Sequence, residues 1–449
     1  MTIHGQSAGT DGHRPRRARS WRTGAAIGLL CLGLAACAGL GDNSWGRAEA
    51  EPNAVIEWTL LADRLGNGTS NWRTMAIMHR AMHDAMNAAR PVYARWSPAA
   101  PGEPPGSGAL PAAAMAAAAH RVVLLLHPGA RMETDQRYRI ALARLPDGPA
   151  KDAGIRLGEA IGSRSVRDRD NDGSEISRQF ATAEQPGRWR PTPIGFRTGF
   201  TEDTRPFLFK STAEVPAVPP PALDSPVYLR QLDEVRRIGV AQGAQRTNDQ
   251  SASAVFWANQ SSQRGFTHLA GHLQIGYPRP GGLQEDARIM SQLATAFADS
   301  GILVWKEKER FGFWRPVTAI RTTGLDPNWT PLVETPPFPE YPSGHAADCF
   351  VGAGVLRAAF PDIDRGISYP WWTGTEAPHV EGRPNHHVIP GEPEEPHRAY
   401  ATLDAAAEDC ALSRIWAGVH FRAGDDEAKR LADLIVARAV ASVPSLKPR

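Results

Sequence analysis

The chain has 449 residues and carries 50 Lys and Arg against 48 Asp and Glu, a net charge of +2. That balance argues against nucleic acid or an anionic membrane face as the main partner. The length suffices for one large helical domain or two ordinary ones. Hydrophobic residues make up 42% of the sequence, an ordinary globular share. Its 38 prolines cluster in connections rather than in periodic runs.

Arg14, Arg16, Arg17, Arg19 and Arg22 precede an apolar run from Gly24 to Ala36. The run is too short to span a bilayer comfortably and reads as an export signal outside the fold. It ends in Leu34-Ala35-Ala36-Cys37, similar to a bacterial lipoprotein box, so that Cys37 would carry lipid after cleavage. Ordinary cleavage after Ala48-Glu49-Ala50 is the alternative. Arg16-Arg17 hints at twin-arginine export, but the rest of that motif is poor. No other stretch is long and apolar enough to cross a membrane. The expected division is an export signal over 1–36, a tether over 37–54, an N-terminal helical half over 55–225 and a C-terminal helical half over 226–449. The expected location is the periplasm or outer membrane of a bacterium, with membrane contact only through the N-terminal lipid.

Residues 55 to about 95 read as one helix, with Met75, Met78, Met82 and Met86 on a core stripe. His79, His83 and Asp84 lie on the same stretch without a third ligand type, which predicts packing and hydrogen bonding rather than a metal site. Residues 96–108 form a Pro/Gly linker. Helices are predicted over Ala109–His127, Thr134–Leu145 and Ala150–Asp168. The run from Asp168 to Glu175 copies the opening of a calcium loop, with Asp170, Asp172 and Gly173 in place. Ile176 and Gln179 stand at its ninth and twelfth positions, so a solvated acidic turn is expected instead. Residues 181–225 read as a long irregular connection. Helices follow over Pro226–Ala241, Asp249–Asn259 and Asp286–Trp305, with His268 and His272 flanking a glycine-rich turn. Ala346–Phe360, Tyr400–Trp416 and Glu427–Val443 complete the helical pattern. Residues 368–398, with His379, His386, His387 and His397, read as a surface lid. With no repeat and no convincing alternating strand, the fold is expected to be all-α.

The chemistry concentrates on Pro342-Ser343-Gly344-His345. Ser343 is placed to cap the helix that follows. Gly344 lets the backbone approach a ligand. The free N–H groups of a first helical turn favour an anion, and His345 beside them can carry protons near neutral pH. Upstream, Lys308 and Arg315 are seven apart, about two helical turns, and would share a face. Downstream, Arg414 and His420 are six apart, off-register for a straight helix, with Gly418 between them to end or bend it. Three cations, an anion-binding helix start and two histidines suit a tetrahedral or trigonal oxyanion.

In that order, Lys308-x6-Arg315-Pro316, Pro342-Ser343-Gly344-His345 and Ser413-Arg414-x5-His420 resemble the type 2 phosphatidic acid phosphatase and vanadium-dependent haloperoxidase superfamily. The runs Asp299–Lys308, Phe313-Trp314-Arg315-Pro316 and Pro336–Tyr341 resemble the soluble vanadium chloroperoxidases and their bacterial relatives. The resemblance covers about residues 290–430, and more loosely 55–290 through Met78–Asn87 and Phe256-Trp257.

The resemblance implies helical bundles with long irregular connecting loops and a vanadate cofactor. It makes His420 the axial vanadium ligand. Lys308, Arg315, Arg414, the Ser343 hydroxyl and the Gly344 N–H would hold the equatorial oxygens, a preorganised electrostatic role. His345 would move protons and Lys308 would polarise the bound peroxide. Trp305 and Phe338 match positions around the halide. The implied reaction is oxidation of bromide, with chloride as a second candidate, by hydrogen peroxide to hypohalous acid. An organic substrate to be halogenated and a homodimer are compatible with it. In the alternative, an exported acid phosphatase, the same cradle binds phosphate, His420 becomes the nucleophile and His345 protonates the leaving group. An oxyanion-binding protein without turnover is a third reading, against which the two histidines argue.

One departure bears on His420. Many relatives place an Asp four residues later to orient its other ring nitrogen. Here that position is Gly424, followed by Asp425 and Asp426. A one-residue shift or a backbone carbonyl is expected to take over. Of four cysteines, Cys31 and Cys37 lie in the export segment. Cys349 falls one turn after His345 and Cys410 one turn before Arg414. The two could bridge behind the site if their helices run antiparallel. Two buried free thiols are favoured, because β-carbons must come within about 4.5 Å for a bridge.

Overall fold

Gly66-Asn67-Gly68 interrupts what reads as one N-terminal helix. The computed structural model describes residues 53–66, 69–259, 261–277, 279–363, 369–372 and 397–446. Cys37 and the rest of the export segment lie outside the described residues, as do His379, His386 and His387. The first helices are α1 (Ala54–Leu65), capped by the Asn53 side chain, and α2 (Thr69–Ala89). They are two helices where the sequence suggested one, because glycines on either side of an asparagine make a helix interior costly.

The chain continues through α3 (Pro111–Leu126), α4 (Arg131–Ala143) and α5 (Pro149–Arg167), then α6 (Pro226–Ile238) and α7 (Asn248–Ala258). Next come α8 (Ser262–Gly276), α9 (Gly282–Phe311), α10 (Pro316–Thr322) and α11 (Gly344–Ala359). Strands β1 (Tyr369–Trp372) and β2 (His397–Tyr400) pair antiparallel, Tyr369 opposite Tyr400, before α12 (Leu403–Trp416) and α13 (Arg422–Ala441). The described residues are therefore all-α apart from this short ladder. No helix among the described residues is long and apolar enough to cross a membrane.

Three expectations need correction here. The glycine-rich turn around His268 and His272 is the interior of α8. Phe266, Leu269, Ala270 and Leu273 repeat at helical spacing and are all buried, and Ser261 caps the start, so packing outweighs the glycine cost. The acidic turn after α5 is exposed at Asp168, Asp170 and Glu175, as expected, but not at Asp172. Asp172 is buried and bonded to Arg73 Nε at 2.9 Å and Arg169 Nε at 2.7 Å, with Asn171 and Gly173 at φ values of 51° and 82°. Cys349 and Cys410 are bridged, not free, with Cα atoms 6.3 Å apart. The helix rotations that the sequence leaves open bring the two sulfurs together.

The described residues fall in one compact unit. Its axis is α9, whose interior is buried along nearly its whole length, from Ala287 to Trp305. On one side α9 meets α2, which buries Met75, Met78, Met82 and Met86. On another it meets α11, itself enclosed by α8, α12 and α13. Burying each such large side chain contributes roughly 1.5–3 kcal/mol. Helices α3 and α5 pack backbone to backbone through small residues: a β-carbon on Gly158 would lie 2.1 Å from Ala114 O. The connection over 168–225 is pinned on α9. Asp299 accepts from Phe207 N at 2.6 Å and Leu208 N at 2.7 Å, and Glu307 accepts from Ala217 N at 3.3 Å.

Candidate active site

Helix α9 delivers Lys308 in its last turn and then stops. Gly312 adopts a left-handed conformation, φ 53°, as the C-cap. Lys308 and Arg315 thus do not share one helix face, contrary to their spacing. Arg315 lies beyond the cap, extended, as the residue before Pro316 at the start of α10. Its Nε donates to Phe338 O at 2.9 Å and its Nη1 to Val419 O at 2.8 Å, with Nη1 also 3.0 Å from His420 Nε2. Its Nη2 is buried without a hydrogen-bond partner.

The loop from Pro339 to Pro342 is held by Lys308. The ammonium donates to Pro339 O at 2.9 Å, Glu340 O at 2.8 Å and Pro342 O at 2.5 Å. An ammonium has three donors, so these carbonyls use all of them. That loop leads into α11, where Ser343 caps Ala346 N at 3.4 Å and its own N–H donates to Gly424 O at 3.0 Å. A β-carbon on Gly344 would make only ordinary contacts, 3.6 Å to Val304 Cγ1 and 3.9 Å to Lys308 Cε. Protein packing does not force glycine there, which leaves close approach of a bound group as its use.

Helix α12 carries Arg414 in its last turn and ends at Trp416. Gly418, at φ 79°, turns the chain so tightly that a β-carbon would lie 2.5 Å from Gly239 O. The turn returns His420 to Arg414: the N–H groups of Val419 and His420 both donate to Arg414 O, at 3.1 and 3.3 Å. Arg414 Nε and Nη1 and His345 Nε2 are buried with no hydrogen-bond partner. His345 meets the Trp257 ring edge-on at 6.3 Å.

His420 is oriented by a residue for which the sequence suggested no role. Its Nδ1 lies 2.7 Å from Glu340 Oε1, which also accepts from Phe421 N at 3.1 Å. A carboxylate accepting from Nδ1–H leaves the lone pair on Nε2, facing the Arg315 guanidinium. Neither a carbonyl nor a one-residue shift replaces the missing Asp, contrary to expectation. A β-carbon on Gly424 would lie 2.4 Å from Glu340 Oε1, so Glu340 and a larger residue 424 exclude each other. The sequence signal was the glycine itself, which called for a carboxylate from elsewhere in the chain. Asp425 is buried beside the Ser343 hydroxyl and Arg414.

Burial dominates the electrostatics. It holds Lys308 well below the usual ammonium range, helped by Arg315. It lowers Arg315 to about 9 and Arg414 to about 10. It pushes Glu340 up to about 7 against the pull of Lys308 and Arg315. Both histidines are held below their ordinary value by burial, His345 further by Arg414 and His420 further by Arg315 and Lys308. Cations this dry, with donors left over on Arg315, Arg414 and His345, fit a polyoxygen anion.

Phe338 floors the site. Its ring centre is 5.3 Å from Lys308 Nζ, 4.9 Å from Arg315 Cζ and 5.0 Å from the Trp305 ring. Trp305 stacks on Phe180 at 5.7 Å, and a β-carbon on Gly199 would lie 2.2 Å from its ring. The 168–225 connection thus supplies part of this aromatic wall through Phe180. The structure brings together Lys308, Arg315, Ser343, Gly344, His345, Arg414 and His420, with Trp305 and Phe338 alongside. His79 and His83 stay apart from it, bonded to Thr59 Oγ1 at 3.3 Å and to Ala94 O at 2.9 Å.

Residues 288–447 match a family described as the VCPO second helical-bundle domain. The vanadium chloroperoxidase of Curvularia inaequalis is 30% identical over an alignment of 195 residues, covering 34% of this chain. The match spans about a third of that relative, 32% of its length. Among solved structures, a bacterial vanadium-dependent iodoperoxidase superposes with a TM-score of 0.70 at 22% identity, over 88% of this chain and 96% of the other. A bacterial vanadium-dependent chloroperoxidase in its holo form gives a TM-score of 0.62 at 18% identity, over 83% and 91%.

Proposed function

We propose that this chain is a vanadium haloperoxidase that oxidises halide with hydrogen peroxide to hypohalous acid, with vanadate as cofactor. One observation carries the reading: buried nitrogens without a partner on Arg315, Arg414 and His345 accompany a histidine whose Nε2 lone pair, set by Glu340, faces the Arg315 guanidinium. When bound, vanadate supplies a Lewis-acidic centre at which hydrogen peroxide is activated for two-electron oxidation. Every other contribution comes from the chain's own residues.

His420 offers Nε2 as the ligand atom, and Glu340 holds its ring and tautomer. Arg315 and Arg414 donate to the anion's oxygens and balance its charge, with Ser343 and the Gly344 N–H completing the cradle. Lys308 contributes charge and holds the 339–342 loop. A direct bond from it to the anion or to peroxide requires exchanging one of its three carbonyl partners. Making hypohalous acid and water from halide and peroxide consumes one proton. His345 Nε2 is placed to carry it. Phe338 and Trp305 keep one wall dry for a weakly hydrated halide. We infer bromide as a substrate, with chloride the next candidate. Iodide, the most easily oxidised of the three, follows if bromide is accepted.

The division into helical halves on either side of residue 225 is proposed from the sequence, and α2 and α9 pack together across it. Export and a lipid on Cys37 are proposed from the leader's residues alone, and the mass of the mature N-terminus tests them. The function is tested by assaying bromide oxidation with peroxide before and after adding orthovanadate, with phosphate as competitor. Oxidation should appear only with vanadate and fall as phosphate rises. Hydrolysis of phosphate esters by the unsupplemented protein, with no vanadate-dependent halide oxidation, would establish the phosphatase reading instead.

A further inference from the structure

The other reactive atoms close to the site are sulfur. Cys349 lies on α11 one turn beyond His345, and Cys410 lies on α12 one turn before Arg414. Both are fully buried, and their bond joins the two helices over a separation of 61 residues. A ring nitrogen of His345 lies within 4.8 Å of both sulfur atoms. The same ring meets Trp257, whose indole N–H donates to Asp409 Oδ2 at 2.9 Å. Because His345 Nε2 has no hydrogen-bond partner, packing against these neighbours sets where it points.

We propose that the Cys349–Cys410 disulfide is a positioning element of the oxyanion site. It fixes the His345 ring and the Arg414 guanidinium relative to each other, so that anion affinity and turnover depend on its oxidation state. The physical reason is a lever. Helices α11 and α12 each deliver one essential group from a turn adjacent to the crosslink, and a shift of about 1 Å at such a group is worth about a hundredfold in rate. A second reason is chemical. A thiolate this close to a peroxide-consuming centre is open to oxidation to sulfenic and sulfinic acid, whereas the bridge leaves no thiolate to react. The turnover part rests on the haloperoxidase reading, while the affinity part rests on the crosslink and the cradle alone.

The test uses the full chain in three forms: bridged, folded under reducing conditions with the thiols of Cys349 and Cys410 titrating in addition to those of Cys31 and Cys37, and the double variant Cys349→Ala/Cys410→Ala. Each is titrated with orthovanadate and with phosphate, assayed for bromide oxidation across pH, and checked for helicity and melting temperature. The proposal expects helical samples without the bridge to bind either anion about tenfold more weakly or worse, with kcat falling and the halide KM little changed. Native anion affinity and kcat, combined with a lower melting temperature, would overturn it, because the bond would then only stabilise the fold. If the double variant does not fold, the reduced natural chain, measured below its own melting temperature, separates the same two outcomes. If the bridged protein oxidises no halide, the haloperoxidase reading fails, and the phosphate titration still decides the positioning role.

Discussion

At His420 the nitrogen held by Glu340 fixes the state of the other, which faces Arg315 Nη1 at 3.0 Å. Glu340 Oε1 takes the Nδ1 proton at 2.7 Å, and Gly424 leaves the space that carboxylate needs. Glu340→Gln should therefore weaken vanadate binding by about 10–100-fold without unfolding the protein, the usual effect of losing a residue behind a ligand. Gly424→Asp should do similar damage by colliding with Glu340, and adding Glu340→Ala to it should restore part of the affinity. No restoration would show that the two positions do not share one job. A second buried carboxyl, Asp348, accepts from Ser300 Oγ at 2.9 Å, and burial raises it to about 8. Folded protein then keeps a proton that the unfolded chain releases near 3.8, so stability is fully present at low pH and is lost as pH rises toward 8. Melting temperature between about pH 5 and 8 should fall less steeply in Asp348→Asn than in the natural chain; parallel slopes would contradict the assignment.

At the scale of elements, the end of α9 decides where Arg315 lies. Lys308 and Arg315 read as two turns of one helix, yet Gly312 was already in the sequence as a left-handed cap between them. Spacing alone suggested a shared face, while the cap puts Arg315 in the next element, where it reaches His420. Gly312→Ala should cost roughly 1–2 kcal/mol, because an L side chain resists that conformation, and should weaken vanadate binding as Arg315 shifts. Unchanged melting and binding together would sink this account of the cap. Helix α8 was missed for the opposite reason: its glycines suggested a turn, while its buried apolar stripe supplies the tertiary packing that overrides propensity. The Ser343 cap and the break at Gly418 were legible because each is a local backbone event with its own residue signal. Glu340 and the Cys349–Cys410 bridge were not, since both depend on the rotation of elements 80 and 61 residues apart.

Across the whole molecule, all-α architecture follows from the periodic runs. The course of the 168–225 connection does not, because it carries no periodicity. Its route is set by buried carboxylates of α9 that accept its backbone N–H groups, Asp299 foremost. Asp299→Ala would strand the part-buried N–H groups of Phe207 and Leu208, at up to about 1–3 kcal/mol each. It should loosen the segment that brings Gly199 against Trp305. Limited proteolysis should then cut within 181–225 first; cleavage elsewhere, with the natural melting temperature kept, would contradict that role.

The central claim is that this cradle binds vanadate through His420 and uses His345 for protons. Equilibrium vanadate titration of the natural chain, His420→Ala and His345→Ala, with bromide oxidation measured on the same samples, tests it most directly. The natural chain should bind one tight equivalent, His420→Ala should lose tight binding, and His345→Ala should retain binding with most turnover gone. Equal loss of vanadate affinity in both variants, or tight binding that survives His420→Ala, would contradict it.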